Sequence, residues 1–167
     1  MSVQELFDDP RLTSAGLLFE ANSGLLAKLD PVWSAHGLSG LDLNALMRLS
    51  RSAERRLRMS DLATQTALST SGVTRLVDRL TKAGLVERQA DPADRRSAYA
   101  ALTEAGVRRL EQVLPDYLAA LDRWLTGLLT PEQLAGLVTG LRIIRDVTNP
   151  AALADARTGG DGSAVSR

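Results

Sequence analysis

The stretch "LSTSGVTRLVDRLTKAGLVERQADPADRRSAYAALTEAG", residues 68–106, constrains this chain most. Val73, Leu76, Val77 and Leu80 recur at helical spacing and make one stripe that must be buried. Ser69 is placed to cap that helix and Lys82 lies in its last turn. Gly84 supplies a left-handed stop, with Leu85 as the apolar contact beyond it. Two short strand-like segments, "LVERQ" and "SAYAAL", then flank the charged turn "ADPADRR" and predict a hairpin. Its alanines make the second strand weak by propensity alone. Thr103 follows as the cap of the next helix. A helix, a tight charged hairpin and a second helix are therefore forced into close succession.

Elsewhere the periodicity is helical. Residues 14–35 carry Leu18, Leu25, Leu29, Val32 and Trp33 near helical spacing, with Leu17, Phe19 and Leu26 off that stripe. A helix apolar on more than one side has two partners to bury against. "GLSGLDL" breaks it, and a helix over 42–52 sets Leu43, Leu46 and Met47 on one face. The basic run "RSAERRLR" precedes a short helix in "MSDLATQTA", with Ser60 as its expected N-cap and Asp61 where the helix dipole favours an acid. After Thr103, Val107, Leu110, Leu114, Tyr117, Leu121, Leu125 and Leu128 keep helical spacing for about six turns. Pro115 lies inside this run and is expected to kink it. Thr130, Pro131 and Gln133 open a last helix with a capping box, followed by the stripe Leu134, Leu137, Val138, Leu141 and Ile144. Residues 1–13, including Asp8 and Asp9, read as a loose arm, and 150–167 as a disordered tail.

Charge balances at 20 Lys/Arg against 20 Asp/Glu, so net charge points to no nucleic-acid partner. The distribution does: between Arg48 and Arg96 there are 11 basic against 6 acidic residues. A basic middle between acidic ends marks an anion-binding face. The absence of cysteine excludes disulfides, thiolate metal sites and thiol redox sensing. The single histidine, His36, rules out a multi-histidine metal site within one chain. No cofactor, metal or catalytic site is expected. No apolar run approaches the ~20 residues that cross a bilayer, and "MSVQELFDDP" lacks the pattern of a secretory signal. The expectation is a soluble, cytoplasmic protein with no membrane partner.

A short helix, a tight turn and an amphipathic helix bearing Thr, Ser and Arg outward is the logic of a helix-turn-helix. Its second helix enters the major groove of double-stranded DNA, where hydroxyls pair with several base edges and arginine prefers guanine. A hairpin with arginines at its tip can reach the neighbouring minor groove. Thr70, Ser71, Thr74, Arg75 and Arg79 are the expected groove-facing residues, with Arg95 and Arg96 reaching from a tip braced by Asp91 and Asp94. Arg51, Arg55, Arg56 and Arg58 are candidates for phosphate contact. Trp124 and Tyr117 read as packing residues.

"TRLVDRLTKAGLVER", then "DPADRR", then "LTEAG" together resemble the winged helix-turn-helix core of the MarR (multiple-antibiotic-resistance regulator) family. The likeness is detailed over 59–106 and extends to element order over 14–148. It implies a mainly α fold with a small β-hairpin wing. In this arrangement 14–38 is a dimerisation helix, 41–103 the DNA-binding domain and 104–149 further dimerisation helices. It also implies a homodimeric, ligand-responsive regulator, usually a repressor, relieved by a small-molecule effector such as an aromatic or phenolic anion. By position, Asp94 and Arg96 resemble the family's wing pair. Trp33 and His36 fall near its effector pocket. The leucine-rich outer helices independently favour a dimer, whose two-fold axis would match an inverted repeat. The rival reading is a winged-helix module that binds protein and no specific DNA.

Overall fold

The computed structural model describes residues 3–91 and 98–150. Its helices are α1 (Val3–Phe7), α2 (Pro10–Ala35), α3 (Gly40–Arg51), α4 (Met59–Gln65), α5 (Thr70–Lys82), α6 (Glu104–Trp124) and α7 (Pro131–Thr148). Its strands are β1 (Arg56–Arg58), β2 (Val86–Ala90) and β3 (Ala98–Leu102), in one antiparallel sheet of order β1-β3-β2.

The chain starts more regularly than its sequence suggests. The expected loose arm contains α1 and the start of α2. Pro10 occupies the first turn of α2, and the Asp9 carboxylate accepts a hydrogen bond from the Arg11 amide at 2.8 Å. The Arg11 side chain closes on the same carboxylate and holds Asp9 below its ordinary titration range. An Asp-Pro pair is a helix start. Read as two spare acids, Asp8 and Asp9 hid it.

Between α3 and α4 the basic run does more than connect. Glu54 and Arg55 both take positive φ, at 54° and 53°, a region costly for non-glycine residues. This sharp turn feeds β1, which pairs Arg56, Leu57 and Arg58 with Ala101, Ala100 and Tyr99. The sheet therefore has a third strand that alternation could not reveal in three residues. It also displaces the expected cap: α4 begins at Met59, directly from the strand, and Ser60 lies inside the helix.

Other starts agree with expectation. The Ser69 hydroxyl accepts from the Gly72 amide at 3.1 Å, Thr103 from Gly106 at 3.0 Å and Thr130 from Gln133 at 3.3 Å. Val73, Leu76, Val77 and Leu80 are all buried and pack with Leu43, Leu46 and Leu49 of α3 and Leu62 of α4. Gly84 has φ +71° and ends α5 as expected. The two hairpin strands pair from Val86↔Leu102 to Ala90↔Ala98. The alanines succeed in β3 because it is the central strand, paired on both edges, with Ala100 and Ala101 buried. α6 runs unbroken past Pro115 as far as Trp124, so Leu125 and Leu128 lie beyond it.

Packing is uneven along the chain. Leu29 and Trp33 of α2 and Leu110 and Val113 of α6 join the core. The α7 stripe does not: no residue of α7 is buried. Leu17 and Phe19 of α2, and Leu118 of α6, are exposed as well. No helix among the described residues is long and apolar enough to cross a membrane.

Candidate nucleic-acid interface

The turn between α4 and α5 is short because three groups close it. The Thr66 hydroxyl donates to the Leu62 carbonyl at 2.6 Å, the Leu68 amide donates to Ala63 at 2.9 Å, and Ala67 takes φ 54°. The Ser69 cap then starts α5 immediately. With its apolar stripe buried against α3 and α4, the helix presents Thr70, Ser71 and Arg75 outward. Thr74 is half-buried, and its hydroxyl donates back to the Thr70 carbonyl at 2.9 Å. Arg75 has no hydrogen-bond or ion-pair partner among the described residues, so its guanidinium is available to a ligand.

Arg79 is differently placed. It donates to the Asp42 carboxylate from Nη2 at 2.6 Å and from Nε at 3.1 Å. The structure thus gives this expected groove residue an internal partner on α3. Sequence reading missed Asp42, which looks like an ordinary capping acid. Its distance in sequence from α5 leaves no local signal of the pair.

Arg88 on β2 was also missed. Its Nη2 lies 2.9 Å from Asp78 Oδ1. Asp78 follows Arg75 along α5, so this pair neutralises an acid beside the outward stripe.

Next to the turn end of the hairpin, one row crosses all three strands: Arg58 on β1, Tyr99 on β3 and Gln89 on β2. Arg58 Nε donates to the Tyr99 hydroxyl at 3.1 Å, and Arg58 Nη2 lies 3.0 Å from Asp91 Oδ2. Asp91 is only 4% exposed. The Tyr99 hydroxyl first, and the Asp91 charge after it, hold the Arg58 guanidinium above its ordinary range. The Arg56 guanidinium covers the Tyr99 ring at 4.9 Å. Asp91, the first residue of the turn, is thus tied to β1 through Arg58. The other expected wing residues, Asp94, Arg95 and Arg96, lie outside the described residues.

Of the four basic candidates before α4, Arg55 pairs with Glu104, Arg56 with Glu54 and Arg58 with Asp91, while Arg51 is exposed. Trp33 and His36 come together at a corner of α2 and α6, but they differ in kind. Trp33 is a core residue whose ring centroid is 6.2 Å from that of Tyr117. His36 Nε2 lies 2.9 Å from Asp116 Oδ2, and the His36 carbonyl accepts from Arg109 Nη1 at 2.6 Å. Among the described residues no group of His, Asp or Glu is arranged to hold a metal.

Comparison with known proteins decides the family. A MarR family model matches residues 36–97. The fold superimposes on AbsC of Streptomyces coelicolor, a MarR family transcriptional regulator, with TM-score 0.78 and 34% identity, over 83% of this chain and 94% of that one. The chain belongs to the MarR family. A second MarR regulator of Streptomyces coelicolor, Sco3205, solved in complex with DNA, matches with TM-score 0.78 and 31% identity, over 84% of this chain and 88% of that one. Transcriptional repressor MprA of Escherichia coli is 30% identical over 70% of this chain and 66% of its own. The chain spans about half to two thirds of the length of several curated MarR-type relatives. The α4–turn–α5 unit and the sheet are thus a MarR winged helix-turn-helix, a fold of transcriptional regulators and not of enzymes.

Proposed function

We propose that the protein is a homodimeric, sequence-specific DNA-binding regulator that represses from an inverted-repeat operator. The observation that carries this reading is the outward face of α5. It combines exposed Thr70 and Ser71 with an exposed Arg75 that no partner among the described residues holds. This is base-reading chemistry on a helix shaped to enter the major groove. Thr74 belongs to the same face, and Arg95 and Arg96 would reach the minor groove beside it, with Asp94 orienting Arg96. Sco3205, which shares the fold, was solved with DNA, and MprA is a repressor. Dimerisation accounts for the apolar faces of α2 and α7 that the single chain leaves in water.

A small-molecule effector, of the aromatic or phenolic anionic class, is part of the proposal. The corner of α2 and α6 at Trp33 and His36 is where it would change the spacing of the two DNA-reading units.

The test is polarisation binding to the protein's own upstream region at about 100 mM salt with excess non-specific DNA. Nanomolar binding that Arg75→Ala weakens by about 1–3 kcal/mol, and Arg96→Ala also weakens, supports the reading. Absence of binding there and in selection from random duplexes would sink it.

A further inference from the structure

Asp42 carries a charge yet is only 5% exposed. Burying a carboxylate is costly unless both oxygens find donors, and here each finds two. Oδ2 accepts from the Ser39 amide at 2.8 Å and the Ser39 hydroxyl at 2.7 Å. Oδ1 accepts from Arg79 Nη2 at 2.6 Å and Nε at 3.1 Å. The first pair locks the carboxylate to the start of α3, which Leu43 and Leu46 anchor in the core. The second grips α5 near its C-terminal end.

α5 also packs into the apolar core that α3 shares, through Val73, Leu76, Val77 and Leu80. The buried stripe sets which face of α5 points inward, but apolar contact is non-directional and leaves small shifts of the helix weakly opposed. A charge-assisted, two-pronged grip on a carboxylate that is already fixed is directional. Arg79 lies one residue from Asp78, which Arg88 holds from β2. α5 is therefore clamped at adjacent residues by two different elements, while its N-terminal half stays open to a ligand. Resting on the DNA-binding reading above, we infer that Arg79 is a positioning residue: held by Asp42, it sets the pose of the recognition helix and so the selectivity of DNA binding, without touching DNA.

This differs in sign from a phosphate contact. If Arg79 gripped phosphate, Asp42 would compete for it, and Asp42→Asn would tighten binding. If Arg79 positions α5, Asp42→Asn loosens the helix and weakens binding. The experiment uses the full chain and a duplex selected by the wild type from a random pool. Affinity is measured over a salt series, beside a non-specific duplex, together with hydrogen exchange of the α5 amides without DNA. Asp42→Asn and Arg79→Gln are each expected to weaken specific binding about tenfold, the size of one charge-assisted bond. The double variant should fall no further. Non-specific affinity and the salt slope should be unchanged, and α5 exchange faster. Arg79→Lys, which keeps charge but loses the two-pronged grip, should resemble Arg79→Gln; it carries the test if Asp42→Asn does not fold.

Tighter binding by Asp42→Asn, a salt slope reduced by about one in Arg79→Gln, or unchanged exchange overturns the inference and leaves the regulator reading standing. A wild type that selects no duplex overturns both.

Discussion

Arg88 on β2 holds Asp78 on α5 at 2.9 Å, tying the strand that leads into the wing to the recognition helix. Both side chains are about half exposed, so the pair adds little to stability, at most about 1 kcal/mol. Its larger effect is on charge. Without Arg88, a bare carboxylate would stand beside Arg75 on a surface that meets phosphates. Arg88→Gln is expected to weaken DNA binding by up to about 1 kcal/mol while leaving urea unfolding nearly unchanged. Asp78→Asn in the same chain should restore affinity. An Arg88→Gln variant that binds as the wild type does would mean Asp78 faces no DNA.

The start of α6 is built to a tolerance of less than one methyl group. A Cβ on Gly106 would lie 2.3 Å from the Leu85 carbonyl and 2.6 Å from Leu102 Cδ1. The Thr103 amide and hydroxyl pin the same corner, to Leu85 at 3.1 Å and Gly84 at 2.7 Å. Gly106→Ala should cost about 1–3 kcal/mol by overpacking, and Thr103→Ala about 1 kcal/mol by loss of the cap. Urea midpoints measure both. If Gly106→Ala is neutral, α6 does not approach Leu85 and Leu102 this closely in solution.

How much of this was legible in the sequence depends on range. Caps at Ser69, Thr103 and Thr130 are signalled within three residues, and all three hold. The α5 stripe at Val73, Leu76, Val77 and Leu80 is equally local. What stayed hidden joins distant positions. β1 is too short to alternate and exists because β3 pairs with it. Asp42–Arg79 and Arg58–Asp91 each need the fold before their partners meet. The outward α5 residues were readable because they are what the buried stripe leaves over. The Asp42 partner of Arg79 was not readable in the same way: exposure says that a side chain is outside its own helix, not that it lacks a neighbour.

Tyr117 supplies a pH dependence of known sign. Burial raises its hydroxyl above the ordinary value of 10.0. The folded chain then holds this proton more tightly than the unfolded chain does. Its contribution to stability is complete below about pH 10 and is lost as pH rises through the higher folded value. Tyr117→Phe should flatten the loss of stability above about pH 10 relative to the wild type. Absorbance of tyrosinate, followed in wild type and variant, should place the Tyr117 transition late. An early transition would mean that the ring is solvated.

The apolar stripe of α7 is the sharpest test of assembly. Leu141 is 42% exposed and Ile144 50% exposed in the single chain, although their spacing matches a buried helix face. Ile143 and Val147 add to the same exposed end. A second copy packed across α7 and α2 would remove these groups from water at roughly 25 cal/mol per Å². Leu141→Glu with Ile144→Glu would then place two carboxylates in that contact, at a cost of several kcal/mol. Sedimentation should show the wild type as a dimer and the double variant as a monomer. The winged domain should survive, because its core draws nothing from α7; helical circular dichroism and the emission of buried Trp33 would report that. Operator affinity should fall steeply, since two linked half-sites become two independent weak ones. A double variant that stays dimeric would move the interface off α7 and leave its stripe to another partner.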